Sequence, residues 1–444
     1  MISAWILLLL SVPILLLGEV LVRRIGFLSR YNIPSPVVGG LLVSVAVLLV
    51  NFTGGSLKFA TKVDAPWWTW LITTQAEWQK VPSLNVHQPF LVAFFTCIGL
   101  NASWALAKRG GIQVALFWVV AGVLAIFQNV IGLVLAKILG IPPLLGLACG
   151  SLTMTGGHAT ALGFADEFVK AGLGEAAVIG AAAATFGLIA GGLIGGPVGG
   201  RLIRRFDLKS AAGKKIHLEA GQSGESGILS DFKALWKYGC SFIVHLVVLL
   251  ACIKFGSYIS HIIQQQKVPF PSLTSGEAGM TFGFRETKLT FPVYMGALLL
   301  GVFVRNVTDL TGKRWIRTEI VDTLASVTLS VFLAIAMMSL SLKELAGTAL
   351  PMLVVLAVQV LAAAVFAFYL TYRFMGRDFD AAVMAGGHCG FALGATPNAV
   401  ANMKSLVETY GPAPRAFLVV PIVGAFLLDF LNAINITFFL NIVK

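Results

Sequence analysis

The sequence predicts an all-α polytopic membrane protein of about ten transmembrane helices plus two re-entrant hairpins, arranged as an inverted-topology repeat. Three observations carry this prediction. The chain of 444 residues is 57% hydrophobic and only 12% charged, which is too apolar for a soluble protein of this size. It contains apolar segments long enough to span a bilayer. Two glycine-rich polar stretches interrupt these segments at matching places in the two halves of the chain.

The predicted transmembrane segments are those in which about 20 consecutive residues are mainly apolar, the length that a helix needs to cross the hydrocarbon core. They are residues 2–22, 34–52, 88–106, 112–139, 174–200, 238–263, 290–307, 322–341, 350–374 and 414–440. The first segment has no basic residue before its apolar run and no convincing small-residue cleavage site. It is therefore interpreted as a membrane helix and not as a signal peptide.

The two polar stretches are Ser151-Leu-Thr-Met-Thr-Gly-Gly-His-Ala-Thr160 and Ala385-Gly-Gly-His-Cys-Gly-Phe-Ala-Leu-Gly-Ala-Thr-Pro-Asn398. Glycine costs about 1 kcal/mol in a helix interior and proline about 3 kcal/mol, so neither stretch suits a plain spanning helix. Irregular backbone at membrane depth is tolerated only where protein buries it or where it lines a watery cavity. Residues 143–170 and 380–405 are therefore predicted to be re-entrant hairpins, as in transporters whose site is built from broken helices.

The basic residues predict the orientation of the chain in the membrane. The formal net charge is +12, and most Lys and Arg side chains fall in alternate short loops and in one polar segment, residues 201–237. Cytoplasmic loops carry the excess of Lys and Arg, so both termini are predicted to lie outside. Residues 201–237 then form a cytoplasmic linker between a first repeat, 1–200, and a second repeat, 238–444. This distribution explains the charge better than nucleic-acid binding does, and no nucleic-acid partner is expected.

Five spans in each half require the second half to be inverted relative to the first, because five is an odd number. Two pairs of landmarks support the repeat: His158 and His388 are 230 residues apart, and Gln128 and Gln359 are 231 apart. The alternative is chance similarity between membrane helices of low complexity. Inverted hairpins enter from opposite sides of the membrane, so their tips are predicted to meet near its midplane.

Two motifs within the polar stretches carry a family resemblance: Thr155-Gly-Gly-His-Ala-Thr160 and Gly386-Gly-His-Cys-Gly-Phe-Ala-Leu-Gly-Ala-Thr-Pro-Asn-Ala-Val-Ala-Asn-Met403. They resemble the paired re-entrant motifs of the bacterial sodium/glutamate symporters, the glutamate:sodium symporter family, and the resemblance extends over the whole chain. One position departs from the pattern, since Ala159 stands where the first family motif has glycine. The resemblance implies sodium-driven uptake of L-glutamate across the bacterial inner membrane by a homodimer of inverted-repeat subunits.

A glutamate anion inside the membrane needs hydrogen-bond donors for two carboxylates and an acceptor for its ammonium group. Helix N-termini and glycine-rich turns supply backbone N–H donors without placing permanent charges in lipid. The glycines expected to present backbone to the substrate include Gly156, Gly157, Gly387 and Gly390. Their alternative role is close packing of helices, where small residues let backbones approach.

The two histidines and Asn398 are further candidates for the substrate site. His158 and His388 could each contact a substrate carboxylate, orient a hairpin tip or take a proton. The alternative for each histidine is a satisfied structural hydrogen bond inside the protein.

Asp429 lies about halfway along the last predicted span, where burying an ionisable group costs several kcal/mol unless something compensates it. It is expected to take the ammonium group of the substrate or a sodium ion, with Asn432 one turn on as its neighbour. The alternative is a structural bond between helices. For Gln128, Asn129 and Gln359 the same two roles are open: contact with the substrate or a sodium ion, or a structural bond between helices.

Sodium is a hard cation that prefers oxygen ligands. The candidate ligands are hydroxyl and amide oxygens near unwound backbone: Thr153, Thr155, Thr160, Thr396, Asn398 and Asn402. Pro397 removes one amide donor and restricts the preceding residue to extended geometry, which frees carbonyls that a helix would use. For any single threonine the alternative is a hydroxyl bonded back to its own helix. Apart from Na⁺ as coupling ion, no cofactor is expected.

These features predict a secondary active transporter that moves L-glutamate with Na⁺ by alternating access, with the hairpin domain moving against a scaffold in an elevator-type motion. The alternative with the same architecture is a sodium- or proton-coupled carrier of another small organic anion, such as citrate or malate. An ion channel would instead use a continuous pore. No glycine-rich phosphate loop ending in Lys-Ser or Lys-Thr is present, which argues against ATP coupling. An enzyme would need a nucleophile or metal constellation, and none is evident.

Overall fold

The computed structural model of the chain describes residues 2–30, 33–73, 84–109, 111–210, 239–276, 279–288, 291–312, 315–340, 342 and 349–443. Most of the predicted linker, residues 211–237, lies outside the described residues. Its first part, residues 201–205, continues the preceding helix, which is therefore longer than predicted. Arg204 and Arg205 occupy the last turn of that helix, where positive charge interacts favourably with the helix dipole.

The described helices of the first half follow in chain order. They are α1 (Ala4–Arg24), α2 (Gly26–Arg30), α3 (Ser35–Phe52), α4 (Pro66–Thr69), α5 (Gln88–Asn101), α6 (Trp104–Arg109), α7 (Gly111–Leu139), α8 (Pro143–Ala148), α9 (Gly157–Lys170) and α10 (Ala176–Arg205). A 3-10 turn, Trp70–Ile72, follows α4.

The described helices of the second half are α11 (Cys240–Gln265), α12 (Val293–Leu310), α13 (Thr318–Met338), α14 (Ala349–Phe374), α15 (Phe379–Ala392), α16 (Thr396–Tyr410), α17 (Pro414–Ile422) and α18 (Leu428–Val443). Helix α14 contains a π-helical turn at Ala367–Thr371. A second π-helical turn, Val423–Leu427, joins α17 to α18.

Eight helices in the described part of the chain are long and apolar enough to cross a membrane: α1, α3, α7, α10, α11, α12, α13 and α14. Two shorter apolar helices, α5 and α18, occupy the two remaining predicted segments. The prediction of an all-α polytopic membrane protein is therefore confirmed.

One predicted span, residues 88–106, is broken in the structure. Helix α5 ends at Asn101, and α6 begins at Trp104. Asn306 of α12 fills the break, because its side-chain amide donates to the carbonyl of Ala102 at 2.9 Å and its amide oxygen accepts from the N–H of Trp104 at 2.9 Å. A side chain from a distant helix thus satisfies the backbone groups that the break frees.

The segments between spans also form two small antiparallel pairs of strands. Strands β1 (Lys62–Val63) and β2 (Leu84–Asn85) pair with each other. Strands β3 (Lys267–Gly276) and β4 (Gly279–Lys288) form a longer ribbon in which Lys267 lies opposite Lys288. This ribbon lies between the predicted spans 238–263 and 290–307, and the prediction of helices did not include it.

The long helices pack as two bundles. The first contains α1, α3 and α5 from the first half of the chain and α11, α12 and α13 from the second. The second bundle contains α7–α10 and α14–α18, including both hairpins. Each half therefore contributes its first three spans to one bundle, and its last two spans plus a hairpin to the other. This equal division is what a repeat of five spans plus a hairpin requires.

Candidate functional site

Each glycine-rich stretch forms a hairpin of two helices joined by a short turn. In the first hairpin, α8 ends at Ala148 and α9 begins at Gly157. In the second hairpin, α15 ends at Ala392 and α16 begins at Thr396. Ala395, which precedes α16, is extended, with φ −165° and ψ 163°, as is usual for the residue that caps a helix N-terminus. Thr396, the residue before Pro397, is the first residue of the helix, so the prediction that Pro397 holds it in extended geometry is wrong. Pro397 lies in the first helical turn, where its missing N–H has no acceptor within the helix.

The tips of the two hairpins lie against each other. Gly157 has φ +61°, and a Cβ atom added to it would lie 2.7 Å from the carbonyl oxygen of Gly394. Both the left-handed conformation and the close approach of the two backbones require glycine at this position. The observed contact agrees with the prediction that the tips meet.

Gln128 of α7 joins the two tips through its side chain. Its amide nitrogen donates to the carbonyl of Ala392 in the second hairpin at 2.8 Å, and its amide oxygen accepts from the hydroxyl of Thr155 in the first hairpin at 2.6 Å. The side-chain amide of Gln359 donates to the backbone carbonyl of Gln128 at 2.7 Å. Both glutamines are fully buried, so this polar layer lies inside the second bundle.

The turn of the first hairpin is held at Ser151 by three asparagines. The N–H of Ser151 donates to Oδ1 of Asn129 at 2.8 Å. Nδ2 of Asn432 donates to the carbonyl of Ser151 at 3.0 Å, and Nδ2 of Asn435 donates to its Oγ at 3.2 Å. Side chains of α7 and of α18 therefore form hydrogen bonds with the same residue of the turn.

The return helix of the second hairpin is bonded to the middle of α10. Nδ2 of Asn398 donates to the carbonyl of Leu188 at 2.7 Å, and Nδ2 of Asn402 donates to the carbonyl of Gly191 at 2.9 Å. The close approach depends on glycines spaced four residues apart on one face of α10: Gly187, Gly191, Gly195 and Gly199. Small residues at this spacing allow helix backbones to approach closely.

Both histidines are buried and hydrogen-bonded to a threonine on a neighbouring helix. Nε2 of His158 lies 2.9 Å from Oγ1 of Thr185 on α10. Nδ1 of His388 lies 2.7 Å from Oγ1 of Thr371, which belongs to the π-helical turn of α14. The ring of His388 also packs against Phe117, with 5.2 Å between ring centroids. The other ring nitrogen of His388, Nε2, is buried and has no hydrogen-bond partner among the described residues. For both histidines a contact with substrate stays a prediction.

Several predicted sodium ligands donate their hydroxyl protons to nearby oxygens. Thr153 donates to the carbonyl of Ala148 at 2.8 Å, and Thr396 donates to the carbonyl of Gly424 at 2.9 Å. A donating hydroxyl keeps lone pairs that a cation can use. No group of three or more His, Cys, Asp and Glu side chains within the described ranges is placed to hold a metal ion. The role of the hydroxyl and amide oxygens as sodium ligands stays a prediction.

Three predicted substrate-binding glycines also have packing roles. A Cβ atom on Gly156 would lie 2.6 Å from Cβ of Thr160, itself a buried candidate sodium ligand. A Cβ atom on Gly387 would lie 2.9 Å from Sδ of Met403. Gly390 lies inside α15 with Asn402 against it. Their small size is therefore needed for packing within each hairpin, and substrate contact at these positions stays a prediction.

Asp429 lies on α18 between the contacts to the two hairpins. Gly424 accepts the bond from the second hairpin, and Asn432 donates the bond to the first. No hydrogen bond or ion pair reaches the Asp429 carboxylate from any described residue, and its role stays a prediction. The acid therefore lies beside the place where the hairpins converge.

Sequence reasoning missed Asn435, Thr185 and Thr371 and the glycine face of α10. Asn435 follows Asn432 by three residues, a spacing that places both on one helix face. The glycines recur every four residues, which is a recognisable packing signal. For the two threonines the sequence offers no comparable signal, because only the folded helices bring them beside the histidines.

Comparison with known proteins shows the family to which the chain belongs. A family model described as sodium/glutamate symporter matches residues 1–76 and 63–412. The chain is 38% identical over 429 residues to a sodium/glutamate symporter of Haemophilus influenzae, covering 95% of this chain and 93% of that protein. It is 36% identical over 427 residues to a sodium/glutamate symporter of Escherichia coli, covering 96% of this chain and 94% of that protein. With paired hairpins meeting inside a bundle of membrane helices, the chain belongs to the sodium/glutamate symporter family.

Proposed function

We propose that this chain is a secondary active transporter that takes up L-glutamate together with Na⁺. Membership of the family carries the proposal, because relatives that share nearly their whole length with this chain are named sodium/glutamate symporters. Buried, uncharged hydrogen-bonding groups at the hairpin tips support it, since a transported anion must exchange its hydration for such groups. Na⁺ is transported with the substrate, and its gradient supplies the energy.

The substrate site lies where the tips of the two hairpins converge. The unwound turns near Gly157 and Gly394 offer main-chain groups for the carboxylates of glutamate. Asp429 offers a negative charge for the ammonium group. Hydroxyl and amide oxygens of the same turns, those of Thr153, Thr155, Thr160, Thr396, Asn398 and Asn402, supply the ligands for Na⁺.

Transport proceeds by an elevator-type motion of the second bundle against the first. The division into two bundles supports this, because both hairpins and the helices that bind them belong to one bundle. Across the boundary, Asp166 of α9 accepts from Nε2 of Gln88 on α5 at 2.6 Å. Phe164 of α9 packs edge-on against Tyr294 of α12, with 5.6 Å between ring centroids. These contacts must break and re-form as α9 moves past the first bundle.

The protein functions as a homodimer in the bacterial inner membrane, with two repeats of opposite orientation and both termini outside. The dimer is an expectation from the family. The orientation rests on the distribution of Lys and Arg, which includes the arginines at the ends of α1 and α10.

Uptake of labelled L-glutamate by the purified protein in liposomes tests the proposal, with Na⁺ and H⁺ gradients imposed separately. The expected result is uptake driven by an inward Na⁺ gradient and not by a proton gradient. Uptake driven by protons alone would overturn the sodium assignment. Uptake of citrate or malate in preference to glutamate would overturn the substrate.

A further inference from the structure

Two buried side-chain atoms next to Ser151 have no hydrogen-bond partner among the described residues: Nδ2 of Asn129 and Oδ1 of Asn432. Asn129 is 0% exposed and Asn432 is 1% exposed. An unpaired buried polar atom costs about 1–3 kcal/mol. Such an atom calls for a partner other than the protein, such as an ordered water, an ion or a bound ligand.

In each side-chain amide, the atom that is hydrogen-bonded to Ser151 determines which atom is left without a partner. Oδ1 of Asn129 accepts from the N–H of Ser151, which can only donate, so its Nδ2 is the free group. Nδ2 of Asn432 donates to the carbonyl of Ser151, which can only accept, so its Oδ1 is the free group. The turn thus carries one free donor and one free acceptor, both on amides bonded to a single residue.

A negative charge lies beside the free acceptor. Asp429 precedes Asn432 by three residues on α18, a spacing at which side chains are neighbours on one helix face, with about 5–6 Å between Cβ atoms. Its carboxylate has no partner within the described part of the chain. The charge and the amide oxygen of Asn432 together suit a cationic group.

A donor next to a pair of acceptors matches the head group of an α-amino acid, in which a carboxylate and an ammonium group share one carbon. A sodium ion would satisfy the oxygen of Asn432 but would leave the N–H groups of Asn129 unpaired. A dicarboxylate without an amine would satisfy Asn129 but would leave Asp429 and Asn432 unpaired.

We infer that Asn129 donates to the α-carboxylate of the substrate while Asn432 and Asp429 accept from its ammonium group. This assignment rests on the proposed function and extends it. It makes Ser151 the centre of a subsite that binds the α-carboxylate and the ammonium group of the substrate. The distal carboxylate is then bound elsewhere between the hairpins.

The test uses the full-length protein in liposomes and the variant Asn129→Asp. This change keeps an oxygen for the N–H of Ser151 and replaces the free donor by an acceptor. Inhibition of labelled glutamate uptake is measured with γ-aminobutyrate, which lacks the α-carboxylate, and with glutarate, which lacks the amine. The wild type should prefer glutamate over both analogues. In Asn129→Asp, the preference over γ-aminobutyrate should fall at least about tenfold, the effect of losing one charged hydrogen bond.

The reciprocal variant, Asp429→Asn, should reduce the preference for glutamate over glutarate by a similar factor and leave the preference over γ-aminobutyrate unchanged. Asn435→Ala is the matched control, because Asn435 bonds the hydroxyl of the same Ser151 from the same helix. It should leave both preferences unchanged. If a variant shows no uptake, equilibrium binding of the same three compounds to the purified protein gives the same ratios, and Asn129→Ala provides a second substitution.

A result in which Asn129→Asp and Asn129→Ala weaken glutamate and γ-aminobutyrate by the same factor would overturn the assignment. Asn129 would then only position the turn. This outcome differs from failure of the proposed function, which would appear as absence of sodium-driven glutamate uptake by the wild type.

Discussion

The side-chain amide of Gln359 donates to the backbone carbonyl of Gln128 at 2.7 Å, although the two residues are 231 positions apart. They hold equivalent places in the two halves, each about 30 residues before its hairpin histidine. Contact between equivalent residues is expected where an axis relates two inverted repeats. The bond therefore supports the repeat and places Gln128, which also bonds both hairpin tips, at the centre of the second bundle.

Gln128→Leu is expected to abolish most transport. The change removes the bonds to Ala392 and Thr155 and leaves their buried groups unpaired, at about 1–3 kcal/mol each. We expect uptake to fall at least about tenfold and thermal stability to decrease. The control is Gln113→Leu, near the start of the same helix and outside the hairpin contacts. Equal uptake in the two variants would show that Gln128 does not organise the tips.

Gly157→Ala is expected to separate the hairpin tips. The substitution places a methyl group 2.7 Å from the carbonyl oxygen of Gly394 and also carries the strain of a positive φ, about 1–2 kcal/mol. Gly172 provides a matched control, because its φ is +114° and a Cβ atom there meets nothing within 4 Å. Both variants should lose stability, measured by thermal unfolding in detergent. Only Gly157→Ala should lose glutamate uptake, and retention of wild-type uptake in that variant would contradict the tip contact.

Gly195→Ala is expected to displace Asn402 from α10. The added Cβ would collide with Nδ2 of Asn402 and lie 2.5 Å from the carbonyl oxygen of Gly386. The neighbouring Gly196 is an internal control, since a Cβ atom there meets nothing within 4 Å. Gly196→Ala should be neutral or stabilising by up to about 1 kcal/mol, the helix preference of alanine over glycine. Similar unfolding temperatures and uptake rates in the two variants would rule out a close contact between α10 and the second hairpin.

Asp166→Ala is expected to shift the balance between transport states. Asp166 accepts from two uncharged amides outside its own bundle, those of Asn85 on β2 and of Gln88 on α5. The proposed motion of α9 past the first bundle would break these bonds. Losing hydrogen bonds to a charged group, at about 1.5–3 kcal/mol, should shift the population at least about tenfold away from this arrangement. Distances between spin labels on the two bundles measure the populations.

The adjacent Glu167→Gln serves as the control for that experiment. Glu167 pairs with Lys170 of its own helix at 2.7 Å, and because the Lys170 side chain is exposed, the pair contributes little. Glu167→Gln should therefore leave the populations of the two arrangements of the bundles unchanged. The same distance distribution in Asp166→Ala and in the wild type would show that this contact does not hold the bundles together.

The order of spans and both hairpins were predictable from the sequence because each depends on local composition. An apolar run of sufficient length predicts a helix, and adjacent glycines with His, Thr, Pro and Asn predict a break. The break at residues 102–103 was not predictable, because Asn306 of a distant helix stabilises it. The π-helical turn that contains Thr371 was not predictable either, because its hydrogen bond to His388 depends on tertiary packing.

Strands β3 and β4 were predictable in principle. Met280, Phe282 and Phe284 alternate with polar residues or glycine, which is the period of a strand. This pattern is much shorter than an apolar segment that spans a membrane, so no element was predicted from it. In the site, composition identified the hairpin residues and Asp429. The hydrogen bonds from Asn129, Asn432 and Asn435 to Ser151 were not predictable from the sequence. They depend on the fold, because α7 and α18 are far apart along the chain.

We propose that the two hairpins enter the membrane from opposite sides and enclose the substrate where their tips meet. A cryo-electron microscopy map of the protein in lipid nanodiscs, with Na⁺ and L-glutamate bound, tests it most directly. We expect both hairpins within the bilayer, contact between Gly157 and Gly394, and substrate density beside Ser151 and Asp429. A hairpin that lies in solvent or crosses the whole bilayer, or glutamate density away from both tips, would contradict it.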